Sequence, residues 1–209
     1  MSSLNQPPAS RSDVERNRRT LLTAAAEELA HNPEASMADV ARAAGLTRAT
    51  LYRHFRNRQS LLEAIQTEAL VRAAEALVAC RLEEGTALEA FRRAIDELGS
   101  HSMRFRIVLM QAPDLNPGFL RQRARVLAPL VEVVKRGQVE GHIRSDLPPR
   151  WIVTAMASLL VAAVRAATIT LISDADVSDK LLLLTVVINR DGVPGFSGPA
   201  LALGRSTSA

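Results

Sequence analysis

The sequence predicts an all-α protein of about nine helices. Apolar residues recur at spacings of three and four along most of the chain, and no alternating pattern typical of a strand persists. Glycine and proline separate the periodic segments, as they do between helices. Because 47% of the 209 residues are apolar, the chain can bury a sizeable core.

Four helices are predicted in the N-terminal third. They span about residues 12–31, 36–44, 47–55 and 58–84. Pro33 ends the first helix because proline cannot continue one. Ser36 offers the second helix a hydroxyl N-cap, with Asp39 in its first turn. Gly45 is the C-cap candidate of the second helix, and Gly85 closes the fourth.

The rest of the chain is also predicted to be helical. Breaks at 99, 112–118, 141–149 and 173–178 delimit helices near 86–98, 101–111, 119–140, 149–172 and 178–190. Residues 1–11 and the Gly-, Pro- and Ser-rich tail 191–209 are expected to be disordered. We therefore expect a three-helix N-terminal domain, 12–57, and a larger helical domain, 58–190, joined by the long fourth helix.

Positive charge is concentrated near the N-terminus. The chain has 26 basic and 22 acidic residues, and nine arginines and six acidic residues lie in 1–60. The remaining 17 basic and 16 acidic residues nearly balance. This distribution indicates a polyanionic partner for the N-terminal third.

Several classes of function are disfavoured. The single cysteine, Cys80, excludes an internal disulfide and a cysteine-based zinc site, and it fits the reducing cytoplasm. The four histidines are scattered without metal-ligand spacing, and neither a glycine-rich phosphate loop nor a nucleophile elbow is present. We therefore expect no enzymatic activity, metal or cofactor. The first residues also lack the apolar segment of a signal peptide.

The apolar run 151–172 has about the length of a membrane span. Arg165 interrupts it, serine and threonine recur in it, and Pro148 and Pro149 precede it. A buried or oligomer-forming helix is favoured over a transmembrane one.

A helix-turn-helix unit is predicted from the second and third helices and the glycine-containing turn between them. Five apolar residues are spaced so that both helices can close on the first: Val40, Ala44, Leu46, Leu51 and Phe55. The third helix is about 12 Å long at 1.5 Å per residue, which matches a major groove roughly 12 Å wide.

The side of the third helix that faces away from Leu51 and Phe55 is predicted to meet DNA. The candidates for base or groove contact are Arg48, Ala49, Tyr52 and Arg53. Arg48 can pair with guanine through two hydrogen bonds, and the small Ala49 lets the backbone approach the base edges. The candidates for phosphate contact, which sets register rather than sequence, are Ser36, Thr47, Thr50, His54 and Arg58.

The stretch SMADVARAAGLTRATLYRHFRNRQSLLEAI, residues 36–65, resembles the DNA-binding region of TetR-family transcription regulators. Its most specific part, TRATLYRHFRNRQSLL, is similar to the family's Leu-Tyr-x-His-Phe core followed by a basic residue and paired leucines. The resemblance is strong over about residues 14–66. Further on it is limited to helix number and to GHIRSDLPPRW, which is similar to the family's link into its penultimate helix.

The resemblance implies an all-α homodimer that binds palindromic operators and is released by a small ligand in the C-terminal domain. It implies groove contacts for Arg48, Ala49 and Tyr52, and mainly phosphate contacts for Thr47, Thr50, His54 and Arg58. Two departures stand out. HNPEA, residues 31–35, replaces the more usual glycine-containing turn, and Arg58 stands where lysine is common.

An apolar ligand pocket is expected in the C-terminal domain. Its candidate residues are His101, Met103, Phe105, Met110, Trp151, Met156 and Arg165. Arg165 is the favoured polar anchor because a charge within an apolar helix needs a partner. Each of these residues has an alternative reading as an ordinary core or surface residue.

Helices 149–172 and 178–190 are the candidates for dimerisation, since the second is apolar around most of its circumference. The interface candidates are Leu159, Leu160, Ala163, Leu182, Leu183 and Val186. The alternative is that both helices are simply central core helices.

These observations predict a cytoplasmic homodimeric repressor that binds double-stranded DNA and responds to an unknown small-molecule effector, with no membrane association. An activator and a regulator controlled by a protein partner are the alternatives within DNA binding. From another class, the alternative is a helical interaction module whose basic segment binds anionic surfaces non-specifically.

Overall fold

The computed structural model describes residues 11–105 and 117–168, which form eight α-helices. They are α1 (Arg11–His31), α2 (Met37–Ala43), α3 (Arg48–His54), α4 (Arg58–Ala79), α5 (Ala87–Arg104), α6 (Pro117–Val126), α7 (Ala128–Val139) and α8 (Pro149–Thr168). No strand occurs within these two ranges, and the all-α prediction is confirmed. The expected helix near 178–190 and the tail 191–209 lie outside the described residues, as do residues 1–10, whereas Arg11 already belongs to α1.

Local hydrogen bonds fix the turn between α2 and α3. The Ser36 hydroxyl accepts from the Asp39 amide at 3.3 Å, and the Asp39 carboxylate accepts from the Ser36 amide at 3.0 Å, which caps α2 in both directions. At the other end Gly45 has φ +66°, the left-handed conformation that lets the Leu46 amide donate back to the Ala41 carbonyl at 2.8 Å. The predicted glycine stop and serine cap are therefore both present.

The N-terminal helices close around a core of their own. Leu22, Ala25 and Leu29 on α1 pack with Val40 on α2 and Leu51 on α3, and all five side chains are essentially inaccessible to solvent. These residues recur at three- and four-residue spacings within each helix, so one stripe per helix is buried. The exposed side of α3 is thereby oriented outward.

Arg58 holds the loop that joins α1 to α2. Its guanidinium donates to the Ala35 carbonyl at 2.5 Å and to the Pro33 carbonyl. The HNPEA segment, which lacks the usual glycine, is thus fixed by a side chain from the start of α4. This gives Arg58 a structural function that the sequence did not predict.

Helix α4 is shorter than predicted. It ends at Ala79 rather than near residue 84, and Arg81 adopts a positive φ of 47° directly after it. Arg93 on α5 stabilises this turn, because its guanidinium donates to the carbonyls of Cys80, Arg81 and Glu84 at 2.7–3.1 Å. Tertiary contact, rather than Gly85 alone, terminates the helix.

Two other predicted boundaries were wrong. Gly99 does not break a helix, because α5 runs continuously through it and a Cβ there would lie 4.0 Å from Leu160 Cδ1 on α8. The segment 119–140 is two helices instead of one, separated at Leu127. Pro129 explains this break, since it has no amide hydrogen to donate and its ring clashes with the preceding turn.

A second core lies beneath α5, α7 and α8. Its fully buried members include Phe91 and Ile95 on α5, Leu130 on α7, and Ile152 and Met156 on α8. Leu61 and Ile65 near the start of α4 belong to the N-terminal core, whereas Leu77 near its end belongs to the second. The packing therefore changes from one core to the other within α4.

Helix α8 has the length and composition of a membrane span, with a mean hydropathy of 1.4 over Pro149–Ala167. Its buried side nevertheless contains Ile152, Met156 and Val164, which pack in the second core. This packing accounts for one side of α8, and 33% of the apolar window is buried within the described residues.

Candidate nucleic-acid interface

The outer face of α3 presents a continuous polar and small surface. Arg48, Ala49, Tyr52 and Arg53 are all exposed, while Leu51 on the opposite side is completely buried. The Arg48 guanidinium carbon lies 5.4 Å from the centre of the Tyr52 ring, so the two side chains form a cation–π pair. The structure thus brings the four residues predicted for groove contact onto one accessible face.

The positive charge on and beside this face is not neutralised. Within the described part of the chain, no carboxylate pairs with Arg48, Arg53 or Arg56. By contrast, the Arg42 guanidinium forms an ion pair with Asp39. Arg56, in the turn after α3, was not among the predicted contacts, although its lack of nearby acidic residues in the sequence was a usable signal.

Two of the predicted phosphate contacts cap α3. The Thr47 hydroxyl accepts from the Thr50 amide at 3.2 Å, and the two threonine hydroxyls lie 2.9 Å apart. One of these hydroxyls donates to the other, which leaves a single hydroxyl hydrogen for an outside acceptor. His54 is exposed at the end of α3, with its ring 6.2 Å from that of Phe55.

The other two phosphate candidates already have partners inside the protein. The Ser36 hydroxyl donates to the Asp39 carboxylate at 2.7 Å, and this bond lowers the pKa of Asp39 together with the Ser36 amide and Arg42. Arg58 uses two of its five N–H groups on the loop carbonyls. A phosphate at Ser36 would compete with Asp39 for the hydroxyl hydrogen. A phosphate at Arg58 would add to the bonds that the loop carbonyls already accept.

An ion-pair cluster joins the N-terminal domain to the middle of α4. Glu68 is 3% exposed and accepts from Arg72 Nε at 2.9 Å. Arg19 on α1 donates to Glu75 at 2.9 Å and lies 4.0 Å from Glu68, and the Glu75 carboxylate raises the pKa of Arg19. These contacts tie the orientation of α1 to that of α4.

A cavity of about 100 Å³ lies among α4, α5, α6 and α8. Twelve of its fifteen described lining residues are apolar, and the polar ones are His101, Ser102 and Arg123. Phe105 lies both in the wall of this cavity and in the N-terminal core. The cavity therefore has direct packing contact with the domain that carries α3.

Three of the predicted pocket residues line the cavity, namely His101, Phe105 and Met156. Trp151 is 61% exposed and is not among the described residues of the cavity wall, so its pocket assignment stays a prediction. Arg165 is not in the wall either, being beyond the last lining residue, Val161.

The pocket assignments of Met103 and Met110 stay predictions. The Met103 side chain is not among those described, and Met110 lies outside the described residues. The sequence missed Phe119 and Arg123, because nothing local indicates that α6 places them in the cavity wall.

Of the interface candidates, Leu160 is buried in the second core and lines the cavity, and its assignment to a dimer interface stays a prediction. Leu159 and Ala163 are half-buried on α8. Leu182, Leu183 and Val186 lie outside the described residues. The exposed side of α8 instead carries Trp151, Ser158 and Ala162.

No group of three or more metal-ligating side chains occurs among residues 11–105 and 117–168.

Comparisons with known proteins agree with this arrangement. Residues 21–65 match the model of the family described as bacterial regulatory proteins, tetR family. The chain is 31% identical over 130 residues to the HTH-type transcriptional regulator NfxB of Pseudomonas aeruginosa, covering 61% of this chain and 70% of that protein. It is 30% identical over 159 residues to the HTH-type transcriptional repressor LfrR of Mycolicibacterium smegmatis, covering 73% and 80%.

Solved structures share the same fold. The crystal structure of LfrR in complex with proflavine aligns with a TM-score of 0.67 at 24% identity, over 81% of this chain and 95% of that one. A TetR-family regulator from Rhodococcus sp. aligns with a TM-score of 0.64 at 21% identity, over 81% and 97%. From its N-terminal helices and its likeness to these relatives along most of its length, the chain belongs to the TetR family of bacterial transcriptional regulators.

Proposed function

We propose that this regulator is a homodimeric repressor that binds a palindromic operator through α3 and leaves it when a small molecule enters the cavity. The family membership supports DNA binding and regulation. Repression and ligand release are drawn from LfrR, which is named a repressor and has been crystallised with proflavine. The cytoplasm is the compartment in which such a protein meets its operator.

The observation that carries the DNA-binding proposal is the exposed, uncompensated charge of α3. Arg48 and Arg53 have no carboxylate partner in the described chain, and Ala49 between them leaves room for a close approach. We assign base contact to Arg48, with Ala49, Tyr52 and Arg53 facing the groove. Phosphate contact is assigned to Thr47, Thr50 and His54, with Arg56 added and with Ser36 and Arg58 in secondary roles.

A dimer is proposed because one α3 reads too short a sequence for specific regulation. Two copies of α3 about 34–36 Å apart would meet successive major grooves on one side of the duplex. The exposed side of α8, which carries Trp151 and Ala162, is a suitable contact surface. We propose an N-terminal domain, 12–57, and a C-terminal domain, 58–190. Helix α4 contributes side chains to the cores of both.

The test is a titration of the purified protein against DNA from upstream of its own gene, with random competitor, at two salt concentrations. We expect one fragment to be bound despite competitor. Arg48→Ala should weaken binding to that fragment by about 1–3 kcal/mol and relax its sequence preference. Arg125→Ala is the matched control, since Arg125 is exposed on α6 and belongs neither to α3 nor to the exposed side of α8.

Two outcomes would contradict the proposal. Unchanged sequence preference in Arg48→Ala would remove α3 as the reading element. If every sequence, including fragments selected from the whole genome, were released equally as salt rises, the basic surface would bind anions without specificity. That result would favour the interaction-module alternative.

A further inference from the structure

The charge in the cavity wall distinguishes among classes of ligand. Among the described lining residues there is one cationic side chain, Arg123, and no aspartate or glutamate. Arg123 is half-buried on α6, and no described residue supplies it with a carboxylate. Other half-buried arginines of this domain do have such partners, as Arg72 has Glu68 and Arg136 has Glu140.

A half-buried guanidinium without a counter-ion is an incomplete ion pair. Its desolvation is not offset by a carboxylate of residues 11–105 or 117–168, so an anionic group placed beside it gains a charge-assisted hydrogen bond at little further cost. The aliphatic part of an arginine packs against apolar surface while the charged end reaches toward water. An anion held by Arg123 would therefore lie at the polar edge of the cavity with an apolar portion inside.

The two other polar residues of the wall are compatible with the same ligand. His101 Nδ1 is buried without a hydrogen-bond partner in the described chain, while its Nε2 lies 3.2 Å from Glu97. Such an unmet hydrogen bond is uncommon in a folded protein, and a polar atom of a bound molecule is one partner that would satisfy it. The Ser102 hydroxyl is a further donor on the next residue.

The size and shape of the apolar part limit the ligand further. A cavity of about 100 Å³ is below the ~300–1,000 Å³ usual for drug-sized ligands, so it suits a small or narrow molecule in this conformation. Phe105, Phe119 and Met156 provide apolar and polarisable contacts around it. A positively charged ligand would find an apolar wall and a like charge.

We propose that the effector of this regulator is a small apolar molecule with one anionic group, and that Arg123 binds that group. The inference rests on the proposed ligand response and specifies its chemistry. It assigns Arg123 as the residue that selects anionic over cationic ligands.

The test compares octanoate, octanol and octylammonium, which share an alkyl chain and differ in the charge of the head group. Binding is measured by calorimetry on the full-length protein. We expect octanoate to bind about tenfold or more tighter than octylammonium, with octanol between them. Arg123→Gln should weaken octanoate binding about tenfold and leave octanol within about twofold.

Arg121→Gln is the matched control, because Arg121 lies on the same helix, is exposed and does not line the cavity. It removes the same charge and should leave the preference for octanoate intact. Equal loss in both variants would mean that only the net charge of the protein matters. Equal binding of the three compounds, preference for octylammonium, or no binding of any of them would each overturn the proposal.

The same samples are titrated with the operator fragment in the absence of the three compounds. If the protein binds DNA sequence-specifically but does not prefer octanoate, only the ligand assignment is refuted. Loss of sequence-specific DNA binding in the unmodified protein would refute the proposed function, whatever the preference for octanoate.

Discussion

Phe105 is the residue through which the cavity and the N-terminal domain are in contact, and its truncation gives the most informative perturbation. Its ring is 6% exposed and belongs to the N-terminal core although it follows α5. Phe105→Ala removes apolar contacts from the core that supports α3 and enlarges the cavity at the same time. The variant should therefore destabilise the N-terminal domain, although the substituted residue belongs to the second domain.

The expected magnitude follows from the burial of the ring. A fully buried phenylalanine costs about 3–5 kcal/mol on truncation to alanine. Because Phe105 lines the cavity and is not packed on every side, the loss should be at or just below the lower limit of this range, about 2–3 kcal/mol. For a chain of this size that corresponds to a fall in Tm of roughly 5–10 °C.

Thermal unfolding and amide hydrogen exchange of the variant provide the assay. We expect protection in α1 to fall more than protection in α7, since α1 shares a core with Phe105 and α7 does not. Phe119→Ala is the control, because Phe119 also lines the cavity but is not part of the N-terminal core. Equal loss of protection in α1 in the two variants, or none in Phe105→Ala, would refute a specific connection through Phe105.

Three further predictions concern stability and assembly. Gly137→Ala should destabilise the fold by about 1–2 kcal/mol in urea unfolding, because the new Cβ would lie 2.5 Å from Ile143 Cδ1 and 3.1 Å from Ala87 Cβ; a more stable variant would show that the helix preference of alanine dominates. Ala162→Glu should give monomers in sedimentation velocity while Ala124→Glu, a control at another exposed alanine, stays dimeric, and persistent dimers would place the interface elsewhere than α8. The pKa of Glu140 is lowered from 4.5, chiefly by the Ala87 amide and also by His142 and Arg136, so its stabilisation is present above that value and is lost as pH falls below it. Glu140→Gln should therefore unfold at lower urea concentration than the unmodified protein at pH 7 and at a similar one at pH 3, and parallel curves at both pH values would contradict this.

The helix-turn-helix unit was predictable because its determinants are local. A serine cap, a glycine with positive φ and a threonine cap follow each other within residues 36–47, and each acts through hydrogen bonds to neighbours in the sequence. The burial of Leu51 and the exposure of Tyr52 follow from helical periodicity alone. The DNA-facing surface could accordingly be placed residue by residue, although its contacts with DNA remain a prediction.

The C-terminal domain was less predictable because its determinants are tertiary. The end of α4 depends on Arg93 from the following helix, and Gly99 lies within α5, which continues beyond it to Arg104. The wall of the cavity draws on four helices, so Phe119 and Arg123 could not be assigned to it from spacing. The exposure of Trp151 could not be predicted for the same reason, since its apolar character predicts burial but not whether a neighbouring helix or a second subunit provides it.

The arginines show why charge in the sequence is an incomplete guide to a binding surface. Arg58 and Arg93 bind backbone carbonyls of loops, and Arg19 joins two helices through carboxylates. In each case a nearby acceptor, unknown from the sequence, determines the role. A polyanion can bind those arginines whose guanidinium groups have no acceptor within the protein. Arg48 and Arg53 on α3 meet this condition in the described chain. The same criterion selects Arg123 in the cavity wall, so one physical argument supports both the DNA surface and the anionic ligand.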